Sequence, residues 1–328
     1  MMPLTEIDRM KRTVAEDWTS AVADRVAAAW GYPPGSARWW RSSACHVFVL
    51  PGDGARRYLR FVSDAYGRAE RLAGVAGLMA RLHGAGAAVV RPVPAVSGEL
   101  TVTVPTGLGP VCAMVVESAP GEALGVEELT GELAGEWGAA LARLHREAAG
   151  TGPGLPEAFG ELSDVAGMFG EDAELVAAVA ELAGWMDRLP RDAGNWGVVH
   201  GDFELDNLAW SGGRPTAYDF DEAALSWYAA DIAFALRDLA GAEGRADYRE
   251  FLEGYRTVRP LTDEDVARLP LFAGLNAAVS LVRITRALGR PGPDEAEWLE
   301  RLRADLTGLA AGHRALVLAA VREWGRPG

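Results

Sequence analysis

Apolar residues in the first thirty positions fall at Ile7, Met10, Val14, Trp18, Val22, Val26 and Trp30. Steps of three and four put them on one helical face, so the pattern predicts a single amphipathic helix over about 5–30, ended by Tyr32-Pro33-Pro34-Gly35. The pattern then changes to that of strands. Residues 39–44 lead into Cys45-His46-Val47-Phe48-Val49-Leu50, Pro51-Gly52-Asp53-Gly54 turns the chain, and Arg57-Tyr58-Leu59-Arg60-Phe61-Val62 returns, which predicts a hairpin over 38–62. A helix is predicted over 67–84, with Leu72, Val75, Leu78, Met79 and Leu82 apolar and Gly84-Ala85-Gly86 at its end. Arg91-Pro92-Val93-Pro94 reads as extended, a hairpin is expected around Ser97-Gly98, and residues 111–116 form a further strand. Two strands, a helix and two strands joined by tight turns make an antiparallel α+β lobe, because a parallel crossover needs a longer connection.

Pro120-Gly121 breaks this pattern, and helical periodicity then dominates. Leu133, Trp137, Leu141 and Leu144 share a face within 129–148, and further helices are expected around 172–187, 228–236, 246–256, 263–289 and 294–323. The main β content here is a short hairpin: Asn207-Leu208-Ala209-Trp210, a turn at Ser211-Gly212-Gly213-Arg214-Pro215, and a second run ending at Asp219. The expected fold class is therefore α+β. An antiparallel-sheet N-terminal lobe occupies 1–118, and a mainly α-helical C-terminal lobe occupies 119–328. A length of 328 residues agrees with about two domains.

Composition changes this picture little. The chain is 49% hydrophobic and 24% charged, enough to bury sizeable cores. With 32 Lys+Arg against 46 Asp+Glu, the net charge of −14 disfavours nucleic acid and anionic membrane as partners and suits a cationic small molecule. Cys45 and Cys112, both in expected strands, are too few for a zinc cage and read as buried free thiols. Residues 1–11 lack the apolar segment of a signal peptide, and no stretch approaches the ~20 apolar residues of a spanning helix, so a cytoplasmic location is expected.

The chemistry concentrates in Val198-Val199-His200-Gly201-Asp202-Phe203-Glu204-Leu205-Asp206-Asn207, followed by Asp219-Phe220-Asp221. A tight turn between the two short strands brings Asn207 beside Asp219, with Asp202 within reach of both. One carboxylate to face a hydroxyl and an oxygen pair to hold a hard cation are the minimum for magnesium-assisted phosphoryl transfer.

His200-Gly201-Asp202-x-x-x-x-Asn207 with Asp219-Phe220-Asp221, behind a strand-rich lobe, resembles the aminoglycoside phosphotransferase and choline kinase-like phosphotransferases, relatives of the protein kinases. The likeness in motif order and spacing spans roughly residues 40–240. It implies a bilobal protein-kinase-like fold, with Asp202 as catalytic base and Asn207 and Asp219 as metal ligands. By the same resemblance His200 braces the loop through backbone near Asp219, and Phe220 packs. Asp231 either braces the catalytic loop or caps its own helix. Met114-Val115-Val116-Glu117-Ser118-Ala119 resembles an interlobe hinge, with the Glu117 carbonyl and Ala119 N–H on the adenine edge and Val116 beside the base. Ser42 and Ser43 fall where the phosphate-covering loop lies, and Arg60 where protein kinases carry the strand lysine. Glu70, in the first turn of the 67–84 helix, is either the acidic partner of Arg60 or an ordinary first-turn acid.

These residues imply an ATP- and Mg²⁺-dependent kinase that phosphorylates a hydroxyl of a small molecule. Glu204, Asp206, Asp221 and Glu222 add negative charge near Asp202, which points to an amine-bearing acceptor such as an aminoglycoside. The alternatives are a Ser/Thr protein kinase of the stress-response type and a nucleotide-binding pseudokinase acting as a partner module.

Overall fold

The computed structural model describes residues 1–66, 69–150, 154–239, 246–291 and 295–324. By contacts along the chain it divides into two compact units, Met1–Ala119 with Pro153–Leu155, and Pro120–Gly152 with Pro156–Gly328.

The first unit begins with α1 (Leu4–Lys11) and α2 (Ala21–Ala27), the latter extended by a 3-10 turn at Ala28–Trp30. The single helix expected over 5–30 is therefore two. The apolar period is real, since Ile7, Met10 and Val26 are buried. The residues between the helices break the backbone. The Asp17 carboxylate accepts from the Thr19 N–H and hydroxyl at 3.2 and 2.6 Å, Trp18 takes a left-handed φ of 67°, and Ser20 caps the Val22 N–H at 3.2 Å. Short polar side chains of this kind compete with helical hydrogen bonding and favour caps and turns.

β1 (Arg38–Ser42), β2 (His46–Leu50) and β3 (Arg57–Ser63) follow as an antiparallel meander, so the 38–62 hairpin gains a third strand. α3 (Ala69–Gly84) matches the expected helix, whose residues 67 and 68 lie outside the described residues. β4 (Pro92–Val93), β5 (Thr101–Thr106) and β6 (Gly109–Glu117) complete the sheet, in the order β1-β2-β3-β6-β4 with β5 also pairing β6. The tight hairpin expected at Ser97-Gly98 occurs instead at Gly107-Leu108, where Thr106 pairs with Gly109. The Ser97-Gly98 turn is present, but the strand before it pairs with β6 and not with β5. Strand alternation sets the core: Phe48, Leu50, Leu59, Phe61, Val111, Ala113 and Val115 face α1 and α2, burying Met10, Ala23 and Val26. Arg60 lies on the opposite sheet face from Leu59 and Phe61.

The second unit contains α4 (Gly131–Glu147), the short α5 (Val165–Met168), α6 (Ala173–Met186), β7 (Trp196–Val199), β8 (Leu208–Ser211), β9 (Arg214–Ala217), β10 (Ala224–Trp227), α7 (Tyr228–Ala235), α8 (Ala246–Arg256), α9 (Asp263–Ala267), α10 (Leu269–Leu288) and α11 (Glu297–Trp324). Residue 294 of the expected last helix lies outside the described residues. Contrary to expectation, α10 and α11 are long and apolar enough to cross a membrane by length and composition. α10 carries that composition because it packs against α6, α7 and α11 at the centre of the unit. Two small antiparallel pairs, β7 with β10 and β8 with β9, carry the motif loop between them. Gly121, with φ of 93°, anchors the start of the unit: a Cβ there would lie 1.9 Å from the Trp210 carbonyl oxygen, and Glu122 pairs with Trp210.

Candidate active site

β7 delivers the motif loop, and α7 holds it from beneath. The buried Asp231 accepts the His200 N–H on Oδ2 and the Gly201 N–H on Oδ1, each at 2.8 Å. α7 is preceded by Trp227 and has no side-chain cap, so Asp231 braces the loop and does not cap its own helix. Gly201 has φ of 80°, and a Cβ there would lie 2.3 Å from the Glu222 carbonyl oxygen. Only glycine lets the His-Gly-Asp backbone approach the Asp-Phe-Asp turn so closely.

His200 is held through both ring nitrogens. Its Nε2 donates to the Tyr218 carbonyl at 3.0 Å and its Nδ1 accepts from the Asp202 N–H at 3.3 Å, so both ring nitrogens are engaged. Burial lowers its pKa and keeps it neutral, and the ring packs 4.4 Å from the buried Phe220.

The β8–β9 ladder pairs Leu208 with Ala217, and the Tyr218 N–H donates to the Asn207 carbonyl at 3.0 Å. The segments carrying Asn207 and Asp219 thus run side by side. Asn207 donates from Nδ2 to the Asp202 backbone oxygen at 2.9 Å and to Oδ2 at 2.8 Å. These bonds fix the Asp202 carboxylate. Asp219 has a left-handed backbone, φ 63° and ψ 59°, a conformation costly outside glycine and concentrated at functional sites. An amide oxygen and a carboxylate are hard ligands. Among the described residues no group of three or more His, Cys, Asp or Glu is placed to hold a metal. As hard oxygen ligands the two residue types suit Mg²⁺, which needs few protein ligands when phosphate oxygens and water supply the rest.

Burial raises the Asp202 pKa to about 8, helped by the neighbouring Glu204 charge and opposed by Arg237. Arg237 reaches the site from the turn after α7. It pairs with Glu204 and lies 3.8 Å from Asp202 Oδ1 and 3.8 Å from Asp238. On α10, Arg283 bonds Glu222 at 2.5 Å and Glu161 at 2.8 Å. Two of the four acids expected to form a cation-attracting patch thus already have guanidinium partners, which corrects the charge argument for an amine-bearing acceptor. The sequence reading also missed Trp137, which donates to the Phe203 carbonyl at 3.1 Å, and His145, which meets Asp231 at 2.9 Å. His145 left one signal: a histidine within the apolar face of 129–148.

The remaining expected residues lie in the first unit. Arg60 is buried on β3, with its Nε 3.4 Å from Cys45 Sγ. Glu70 is exposed in the first turn of α3, the position of an ordinary dipole-favoured acid. Ser42 ends β1, and its hydroxyl meets the buried His46 Nδ1 at 2.9 Å. The Ser43 backbone N–H donates to the Cys45 carbonyl at 3.1 Å, and the Ser43 carbonyl accepts from the Met2 N–H. Val116 is buried on β6. The Glu117 N–H donates to the Arg91 carbonyl at 2.9 Å and its carboxylate pairs with the Arg91 guanidinium. No hydrogen bond from the Ala119 N–H occurs among the described residues.

Residues 41–269 match the model of the phosphotransferase enzyme family. The chain is 34% identical over 244 residues to a homoserine kinase of Phenylobacterium zucineum, covering 69% of this chain and 72% of that one. It is 24% identical over 306 residues to the amicoumacin kinase of Bacillus subtilis, covering 87% and 91%. Among solved structures, amicoumacin kinase hAmiN in complex with AMP-PNP, Ca²⁺ and Ami superposes with a TM-score of 0.76 at 19% identity, covering 93% of this chain and 96% of that one, which shows the kinase-like fold. With a family model spanning most of the chain and its motif loop built as described, the chain belongs to the phosphotransferase enzyme family and is a kinase with an alcohol group as acceptor.

Proposed function

We propose that the chain transfers the γ-phosphate of ATP, with Mg²⁺, to the hydroxyl of a small amine-bearing molecule. The observation that carries this reading is the Asn207 side chain: its Nδ2 clamps Asp202 by two hydrogen bonds, on a segment whose backbone runs beside the one that leads to Asp219. In this reading Asp202 orients the acceptor hydroxyl and takes its proton late in the transfer. Asn207 and Asp219 would hold the Mg²⁺, which neutralises developing charge on the phosphate oxygens. Arg60 steadies the phosphates with Ser42 and Ser43, while Val116, the Glu117 carbonyl and the Ala119 N–H receive the adenine. Positioning and fixed charge supply most of the rate in such chemistry.

An amine on the acceptor is supported by the relatives, one of which is named a homoserine kinase, homoserine being a hydroxy amino acid with both an amine and a hydroxyl. The test is transfer from ATP to a panel of amino alcohols, hydroxy amino acids and aminoglycosides, with Mg²⁺ and after chelation. Transfer should require the metal and fall by roughly 10²–10⁴ in Asp202→Ala. Activity that survives either change sinks the assigned mechanism.

A further inference from the structure

Behind the motif loop lies a buried polar chain that the phosphotransfer roles do not use. Asp231, which holds the His200 and Gly201 N–H groups, also meets His145 Nε2 at 2.9 Å. His145 comes from α4 and is fully buried, and its Nδ1 lies 2.8 Å from the hydroxyl of Tyr255 on α8. Tyr255 is itself buried, and the Arg259 guanidinium lies beside its phenol.

We propose that Tyr255 is a positioning residue for the motif loop: its hydroxyl fixes His145 as the neutral Nε2–H tautomer, and His145 in turn fixes the carboxylate that holds the His200 and Gly201 amides. This rests on the proposed role of Asp202 only for its consequence in catalysis. The donor count supports the assignment. Asp231 takes two backbone N–H groups and can only accept, so the His145 nitrogen facing it must carry hydrogen. A neutral ring then presents a bare Nδ1, and the Tyr255 hydroxyl is the donor at hydrogen-bond distance. Burial of His145 opposes the doubly protonated ring.

The fold brings Tyr255 there by direct helix contact. A Cβ at Gly138 of α4 would lie 1.9 Å from the Phe251 carbonyl oxygen, and one at Gly254 of α8 would lie 1.9 Å from the Gly135 carbonyl oxygen. Glycine on both helices lets the backbones touch, and the residue after Gly254 is Tyr255. The distance from α8 to the loop brace is therefore set by packing and read out by one hydroxyl.

The experiment uses the full chain with ¹⁵N-labelled histidine. In the unsubstituted protein the His145 ring, identified as the signal that vanishes in His145→Gln, should show a protonated Nε2 and a hydrogen-bonded, unprotonated Nδ1, the state His200 also holds in a signal that persists in that variant. In Tyr255→Phe the Nδ1 resonance should move to the value of an unbonded nitrogen. Exchange of the 199–202 amides should quicken about ten-fold beyond any global change, the size expected for one unsatisfied buried acceptor. Phe251→Leu, which disturbs the same helix but keeps the hydroxyl, should alter global stability without this selective effect. An Nδ1–H ring or an imidazolium at His145 overturns the proposal, as does loop exchange that follows global stability in both variants. The tautomer is read on the unsubstituted protein, so the proposal stands or falls even if Tyr255→Phe does not fold. An intact tautomer in a chain that shows no transfer would count against the proposed function and not against Tyr255.

Discussion

Asp202 sits in an environment that opposes its own charge. Its side chain is only 25% exposed, Glu204 lies beside it, and its pKa is raised to about 8 against an ordinary value near 4. A carboxyl raised in the fold binds its proton more tightly there than in the unfolded chain. Its ionisation therefore costs nothing below about pH 4 and progressively more up to about pH 8. At about 1.4 kcal/mol per unit, less the screening of the exposed part, Asp202→Asn should stabilise the fold by ~1–3 kcal/mol at pH 8 and by almost nothing at pH 4. Urea unfolding at the two pH values measures this. A variant less stable at pH 8 than the unsubstituted chain would show that Arg237 and Asn207 already compensate the charge. Such a cost, carried by the group proposed to accept the proton, is the usual trade of stability for function.

Among the elements, the α4–α8 pair has the tightest tolerance. Alanine is the better helix former by about 1 kcal/mol, so a glycine in mid-helix normally invites replacement. At Gly138 the new Cβ meets the Phe251 backbone oxygen at 1.9 Å, and backbone cannot rotate away. Gly138→Ala should therefore destabilise by roughly 2 kcal/mol or more despite its propensity. Gly184 of α6 has nothing within 4 Å, and Gly184→Ala should stabilise by about 0.5–1 kcal/mol. Thermal or urea midpoints of the two variants moving in the same direction would contradict this reading of the helix contact. The N-terminal helices show the same limit on propensity. Their apolar period runs unbroken through Val14 and Trp18, yet hydrogen bonds of Asp17 and Ser20 divide them.

For the whole molecule, acid should unfold the chain through its histidines. Burial lowers the pKa of His46 to about 4 and also lowers those of His145, His200 and His313. A histidine depressed in the fold contributes full stability above its unfolded value near 6.5 and loses it as pH falls toward the folded value. Asp202 and Glu204 are raised and act in the opposite sense over the same range. Four imidazoles against two carboxyls leave the imidazoles dominant. Stability should therefore fall between pH 7 and pH 5, read as a lower urea midpoint. A midpoint unchanged or higher at pH 5 would show that the carboxyls dominate.

The chain by itself determined the class of the fold, most of its helices, and the residues of the motif loop. Periodicity reports which face of a local element is apolar, and His200, Asp202, Asn207 and Asp219 lie close enough in sequence for one hairpin register to relate them. It did not determine what surrounds that loop. Arg237 on Glu204, Arg283 on Glu222, Trp137 on Phe203, and Tyr255 on His145 and thence Asp231 join residues from separate elements. Such pairs leave no periodic trace, since each partner looks alone like a solvated arginine or a packed aromatic. Only tertiary packing, glycine against backbone at α4 and α8 and charge against charge around Asp202, decided which guanidinium groups meet Glu204 and Glu222 and how the loop is held.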